Sequence, residues 1–292
     1  MKSIAHLQIS NRATLVVGSL VRPALSGSAH VWAALLSLCL AFSSQQAAAD
    51  ATVIAPDTTW TYGNQNAWPG ACPKNPPPQQ SPISFNSVTT GKATATWSIS
   101  IPAAAPVTML VDKPHYQVVF NLVAPLPTIT VTENGGTTKI YELVDFHFHL
   151  PAEHASGEKA ALEMHVRTRP KGTTTINTVF ATLFVIGATA TPAIDQVSAM
   201  MAGTSRTGKI DLGSMLKNFG NGPFYSYQGS LTTPECNSGV QWYVLQSPMS
   251  VQAPQFVKVL LALVGHGFFE NARNEQTLDA TAAKITLMNG PK

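Results

Sequence analysis

The chain has 292 residues, 45% of them hydrophobic and 11% charged, with 21 prolines and 20 glycines. So little charge excludes a long disordered chain, and the proline and glycine content favours a turn-rich β protein over a helix bundle. The first 49 residues carry Lys2, Arg12 and Arg22 and no acidic residue, so the remaining 15 basic residues are balanced by all 15 acidic ones. No basic excess is left to serve a nucleic-acid partner.

Residues 31–42 form an apolar run, VWAALLSLCLAF, shorter than the roughly 20 residues a membrane span needs. Ala47-Ala48-Ala49 follows it as a small-residue cleavage site. Residues 1–49 therefore read as a secretory leader cut near Ala49. The expected mature chain, 50–292, is exported to the periplasm or the medium and keeps no membrane span. Cys39 leaves with the leader. Cys72 and Cys236 remain as an even pair in an oxidising compartment, either bridged or as two free buried thiols.

Along the mature chain, residues 50–80 are rich in Pro, Gly and Asn, with Trp60, Tyr62 and Trp68 interleaved. They predict an irregular segment pinned by aromatics, with Pro76-Pro77-Pro78 as a stiff turn. Strands are expected over 95–101, 116–123, 128–132, 140–150, 161–167, 178–186 and 239–245. Asn134-Gly135-Gly136 is a strong hairpin turn between two of these. Helical periodicity is confined to 194–202 and 253–263. No repeat or composition shift marks a second domain, so 50–292 reads as one.

The informative stretch is 144–169, VDFHFHLPAEHASGEKAALEMHVRTR. Residues two apart in a strand share a face. Asp145, His147 and His149 therefore lie on one face, with Val144, Phe146, Phe148 and Leu150 on the other. Two imidazoles roughly 7 Å apart along a strand can lean onto one metal ion. After a turn near Gly157 the alternation resumes, with Glu163, His165 and Arg167 on one face. An antiparallel return sets His165 beside the first pair. Three neutral imidazoles leave a tetrahedral zinc one open position, as in a catalytic site, and Asp145 and Glu163 are candidate acceptors for the ligands' second N–H. The string His147-x-His149-x3-Glu153 also fits a cupin metal motif, but the glycines and second motif of cupins have no match here.

With these residues in place, the chain resembles the α-class carbonic anhydrases over nearly all of its mature length. The resemblance is carried by Gln80-Ser81-Pro82-Ile83, Phe146-His147-Phe148-His149, Ala152-Glu153-His154, Glu163-Met164-His165, Gly229-Ser230-Leu231-Thr232-Thr233-Pro234, and Asn271-Ala272-Arg273 with Gln276. It implies a mainly β single domain: a large twisted, mostly antiparallel sheet of about ten strands with a few short helices. It implies Zn2+ on His147, His149 and His165, carbon dioxide and bicarbonate as the small-molecule substrates, and a Cys72–Cys236 disulfide. Zinc lowers the pKa of a bound water to about 7. Thr232 matches the family's gatekeeper threonine and Glu153 its acidic partner. A hydroxyl has one proton to give, so a Thr232 that donates to Glu153 must accept from the attacking oxygen. The apolar substrate pocket is carried over as Val179, Leu231, Val240 and Trp242, with Thr233 beside it. His115 lies in the segment that resembles the proton-shuttle region. His154 and His266 have no such place.

Four departures from the pattern stand out. Asp145 occupies a position where the family has glutamine. Arg167 stands in place of a small apolar pocket residue, and whether it pairs with Asp145 is open at this stage. Glu235 replaces a second proline. One residue is missing after His115. The Arg167 departure also keeps open a zinc-binding relative with little turnover.

Overall fold

The computed structural model describes residues 53–54, 60–72, 80–86, 88, 90–133, 136–220, 222–277 and 284–289. The leader, the Pro76–Pro78 turn and most of the Asn134-Gly135-Gly136 turn lie outside these residues. Thirteen strands of the described residues form one mixed sheet. They are β1 (Val53–Ile54), β2 (Gly91–Ser100), β3 (Ala105–Asp112), β4 (Gln117–Leu122), β5 (Thr128–Glu133), β6 (Thr138–His149), β7 (Leu162–Pro170), β8 (Thr178–Ile186), β9 (Thr207–Ile210), β10 (Phe224–Ser230), β11 (Ser238–Leu245), β12 (Met249–Val251) and β13 (Thr286–Asn289).

The strand order is β1-β3-β4-β6-β5-β2-β13-β10-β11-β8-β12. The strand β7 pairs with both β6 and β8, and β9 adds to β3. Because β7 joins β6 to β8, the strands β6, β5, β2, β13, β10, β11, β8 and β7 form a closed circuit. Nine of the thirteen pairings are antiparallel; β1–β3, β8–β11, β8–β12 and β2–β13 are parallel. The count exceeds the ten or so that the resemblance implies; β1, β9, β12 and β13, which alternation does not mark, have only two to four residues each, too few to show a period of two. The strand β3 does alternate, but Pro106 near its start weakens the pattern.

Burial along β6 changes halfway. Its first residues are exposed or alternate, whereas Asp145 to His149 are buried without a break. The apolar face of that second half enters the core. Phe146 sits in register with Phe120 of β4 and stacks on it at 4.8 Å between ring centroids. The opposite face carries the histidines into a cavity. A second apolar cluster, with Ile83, Phe85, Val179, Tyr227, Val240 and Trp242, supports the cavity from β8, β10 and β11.

Two helices pack against each other outside the sheet, α1 (Pro192–Ala202) and a longer helix near the C-terminus. Between them in the chain is the short α2 (Leu212–Leu216), whose first turn is capped by the Asp211 side chain. The longer helix, α3 (Ala253–Gly265), begins with a capping box between Gln252 and Gln255 and a proline in its first turn. The aromatic segment near the N-terminus is pinned as expected. Trp60, Tyr62 and Trp68 make edge-to-face contacts at 5.0–5.5 Å and pack with the Cys72–Cys236 disulfide.

Candidate metal centre

Register brings the polar residues of β6 and β7 together. His147 is paired with His165, His149 with Glu163, and Asp145 with Arg167, just past a register shift between Leu143 and Asp145. His147, His149 and His165 are buried, and each offers a nitrogen within 4.8 Å of the other two.

The hydrogen bonds fix where the lone pairs point. His149 Nδ1 donates to the Asn271 carbonyl at 2.6 Å, so its Nε2 is free to coordinate. His165 Nε2 donates to Glu163 Oε1 at 2.8 Å, which leaves its Nδ1 as the lone-pair nitrogen. His147 Nε2 lies 3.1 Å from His149 Nε2. Tetrahedral zinc with Zn–N bonds near 2.0–2.1 Å separates its ligand nitrogens by about 3.3 Å, so this spacing fits one ion. All three imidazoles have lowered pKa values, with burial as the largest cause; His149 is pushed down to about 3. The neutral form is the one that binds metal.

The two expected acceptors behave differently. Glu163 takes four hydrogen bonds: from the backbone N–H of Glu153 and His154 on Oε2, and from His154 Nδ1 and His165 Nε2 on Oε1. Burial alone would raise its pKa, but His154 and His165 hold it well below the ordinary value. Asp145 does not act as the acceptor for His147. Its nearer oxygen is 4.0 Å from Nδ1, and both oxygens instead accept from Arg167, at 2.7 Å from Nε and 2.8 Å from Nη2. His147 Nδ1 is left buried without a hydrogen-bond partner. Arg167, being charged and bidentate, outcompetes a neutral imidazole for the carboxylate.

Glu153 is fully buried. Its Oε1 accepts from the Arg273 N–H at 2.8 Å. Burial and then the charge of Glu163 raise its pKa well above the ordinary value, while the Arg273 N–H and Thr232 act in the opposite sense. Thr232 is therefore beside this carboxylate, although no hydrogen bond closes on Oε2.

A cavity of about 140 Å³ opens above the histidines. Val179, Leu231, Thr232, Thr233 and Trp242 line it, and Arg167 and His115 face it as well. Val240 does not line it. It is buried in the apolar cluster behind, where the β10–β11 ladder shifts register next to it, between Gly229 and Ser230. His115 is half-exposed, with Nδ1 2.9 Å from Asp112 Oδ2.

The sequence reading assigned no role to several residues that build this site. His154 bridges Glu163 and the Tyr227 hydroxyl, which is 2.6 Å from its Nε2 and 2.8 Å from Ser81 Oγ. The Asn271 side chain bonds the backbone of Phe148, Leu150 and Tyr116, so its own carbonyl is held against His149. Arg273 donates to Gln80, the Ser81 carbonyl and the Cys72 carbonyl, and lies over Trp68. Their only sequence signal is the resemblance of the short strings around them.

Known proteins resemble this chain in sequence and in fold. Residues 63–280 match the family described as eukaryotic-type carbonic anhydrase. "Alpha carbonic anhydrase 7" of Arabidopsis thaliana is 32% identical over 159 residues, which cover 49% of this chain and 54% of that protein. A carbonic anhydrase of Klebsiella pneumoniae is 35% identical over 137 residues, covering 45% and 52%. The chain thus spans about half the length of the curated relatives it matches. Among solved structures, the α-carbonic anhydrase of Thermovibrio ammonificans in complex with sulfanilamide is 28% identical, with a TM-score of 0.55 over 72% of this chain and 86% of that one. Carbonic anhydrase Cah3 of Chlamydomonas reinhardtii, in complex with acetazolamide, shares the fold, with a TM-score of 0.62 over 78% of this chain and 98% of that one.

Proposed function

The chain belongs to the eukaryotic-type carbonic anhydrase family, and from that premise we propose that it is a zinc enzyme catalysing the reversible hydration of carbon dioxide to bicarbonate and a proton. The observation that carries this reading is the histidine triad: three buried, neutral imidazoles with converging nitrogens, two of them fixed by hydrogen bonds in the tautomer that ligation requires. His147, His149 and His165 would hold the ion. Zinc held there supplies Lewis acidity that brings the pKa of water to about 7.

The chain's own residues do the rest. Glu163 and the Asn271 carbonyl orient two imidazoles. Thr232, beside the buried Glu153, would direct the nucleophile by donating its single proton to the carboxylate. The positive charge of a divalent ion would favour the ionised form of Glu153 that this requires. Val179, Leu231 and Trp242 offer carbon dioxide an apolar wall, and His115 stands where a proton can leave the cavity. We also assign the mature domain to 50–292 and its site of action to the periplasm or the medium, on the strength of the leader and the Cys72–Cys236 disulfide.

A stopped-flow hydration assay on protein of measured zinc content tests the proposal. Turnover proportional to bound zinc is expected. A fully zinc-loaded chain that does not hydrate carbon dioxide would leave the reading of a zinc-binding relative with little turnover.

A further inference from the structure

Arg167 is the one feature of the cavity that carbon dioxide hydration does not call for. It faces Asp145 on one neighbouring strand and Val179 on the other, and lies two residues from His165 on the same strand face. Asp145 takes one edge of the guanidinium with two hydrogen bonds. A guanidinium has five N–H donors, so three are left, including both on Nη1. The two partners are unequally placed: the Asp145 side chain is 1% exposed, that of Arg167 35%. The carboxylate stands behind the cation, and the cavity meets the cation's outer edge.

Stability gives little reason for such a pair. An apolar pair of similar volume is often as stable or more so, because both charges must be desolvated. What the pair does provide is orientation. A guanidinium is charged at any accessible pH, and the Asp145 carboxylate fixes this one through Nε and Nη2. A planar cation held rigidly by one carboxylate has a second edge shaped for another planar, two-oxygen anion. The anion present in the proposed reaction is bicarbonate.

We propose that Arg167, positioned by Asp145, is a substrate-binding residue that receives bicarbonate on its free edge inside the cavity. This deepens the carbonic anhydrase reading and rests on it for the identity of the anion. The other charged or titratable groups facing the cavity are Asp112, His115, His147 and His165. Asp112 opposes an anion, but it is paired with His115 at 2.9 Å. The consequence is product retention: stronger inhibition of hydration by bicarbonate and by small carboxylates than an apolar wall at this position allows.

The test uses the full mature chain in two forms. Binding of 13C-labelled bicarbonate to the metal-free protein is followed by NMR line broadening, with formate as competitor and chloride as a spherical control at equal ionic strength. Removing Arg167 alone would strand a buried carboxylate, so the informative variant is Asp145→Asn with Arg167→Leu, which removes both charges. Arg167→Lys is the companion, keeping the charge and losing the fork. A hydrogen-bonded charge pair of this kind is worth about tenfold in affinity. The double variant should bind about tenfold more weakly, with Arg167→Lys in between. In the zinc-loaded protein, inhibition of hydration by formate should weaken by a similar factor. Equal binding by wild type and both variants overturns the proposal, and so does the absence of binding at about 100 mM bicarbonate, far above the range in which one such pair acts. Oxygen-18 exchange between carbon dioxide and water on the zinc-loaded wild type tests the parent reading separately. Exchange without Arg167-dependent binding sinks only this inference; binding without exchange sinks the parent and with it the substrate role of Arg167, leaving an anion-binding residue.

Discussion

The cavity has a strand wall and a loop wall, and they are held in different ways. The strand wall is Asp145, His147 and His149 on β6 with Glu163, His165 and Arg167 on β7. Its geometry is set by one antiparallel ladder, and a one-residue slip would turn every one of these side chains to the opposite face. The loop wall, Leu231 to Cys236, has no ladder, only single backbone bonds: Leu231 N–H to Asn237, Cys236 N–H to Thr233 and Ala71 N–H to Glu235. It is tied down from afar: by the disulfide to Cys72, by Gln80 donating to the Cys236 carbonyl, and by Arg273, which bonds Gln80, Ser81 and Cys72. The strand wall should therefore respond to substitution one residue at a time, and the loop wall as a unit.

The largest effect is expected on the strand wall. His165→Ala removes one of three ligands while leaving the ladder intact. Zinc content should fall to near zero together with hydration, and the circular dichroism spectrum should be retained. A His165→Ala protein with full zinc and normal turnover would show that the ligand set is wrong.

The loop wall is tested by replacing Cys72 and Cys236 together with serine. The disulfide joins residues 164 apart in sequence. Chain entropy assigns such a loop roughly 5 kcal/mol, and measured losses for native disulfides run about 2–5 kcal/mol. Urea unfolding should show a loss in that range. If the two walls are as independent as their ties indicate, zinc affinity at 25 °C should change far less than stability. A parallel collapse of both would mean that the loop wall holds the histidines in place.

Acid provides a comparison within the strand wall. The folded pKa of His149 is about 3, held down by burial and then by His165, against an ordinary 6.5; those of His147 and His165 are lowered too. Between pH 6.5 and about 3 the unfolded metal-free chain therefore binds protons that the folded chain does not. The contribution is fully present above pH 6.5 and is lost as pH falls towards 3. The melting temperature of the metal-free protein should drop from pH 7.5 to pH 5, and bound zinc should reduce the drop. A flat profile for the metal-free protein would place the imidazoles in a more solvated setting than the structure does.

The same contrast explains what could be read from the sequence. The strand wall is short-range: 20 residues separate Asp145 from His165, and a period of two puts every polar residue on the correct face. Even the Asp145–Arg167 pair follows from adjacent strands with matching parity, although the register shift at Leu143 and Asp145, which has no sequence mark, decides that they stand directly opposite. The preference of Asp145 for Arg167 over His147 is a contest between two nearby donors, and alternation cannot rank them. The loop wall was legible only through resemblance. The acceptor of His149 is a backbone carbonyl 122 residues away, and every residue type carries one. Val240 shows the limit from the other side. It shares a strand face with Trp242 by parity, yet the ladder shift beside it leaves Val240 in the core behind the cavity.

The smallest effect is expected at His115, which belongs to neither wall. Each hydration cycle must export one proton. If it passes directly to bulk water from a group of pKa about 7, recapture at the diffusion limit of about 10¹⁰ M⁻¹s⁻¹ caps release near 10³ per second. Turnover towards the roughly 10⁶ per second that this chemistry permits needs a carrier, and imidazole is the side chain that titrates near neutral pH. His115 faces the cavity and is 43% exposed, and its Nδ1 is engaged by Asp112 at 2.9 Å. With Nδ1 as donor to the carboxylate, Nε2 is the atom left to take up a proton and pass it on. Among the described residues, the other histidines outside the triad are less well placed: His154 is locked between Glu163 and Tyr227, and His266 Nε2 lies 3.0 Å from the Met201 carbonyl. His115→Ala should lower kcat several-fold in dilute buffer and leave kcat/KM nearly unchanged, because proton export follows the chemical step. Concentrated imidazole should restore kcat. Asp112→Asn, which keeps the ring but weakens its anchor, should produce a smaller loss of the same kind. An equal fall in kcat and kcat/KM, or a fall that imidazole does not repair, would assign His115 to the shape of the cavity rim rather than to the path of the proton.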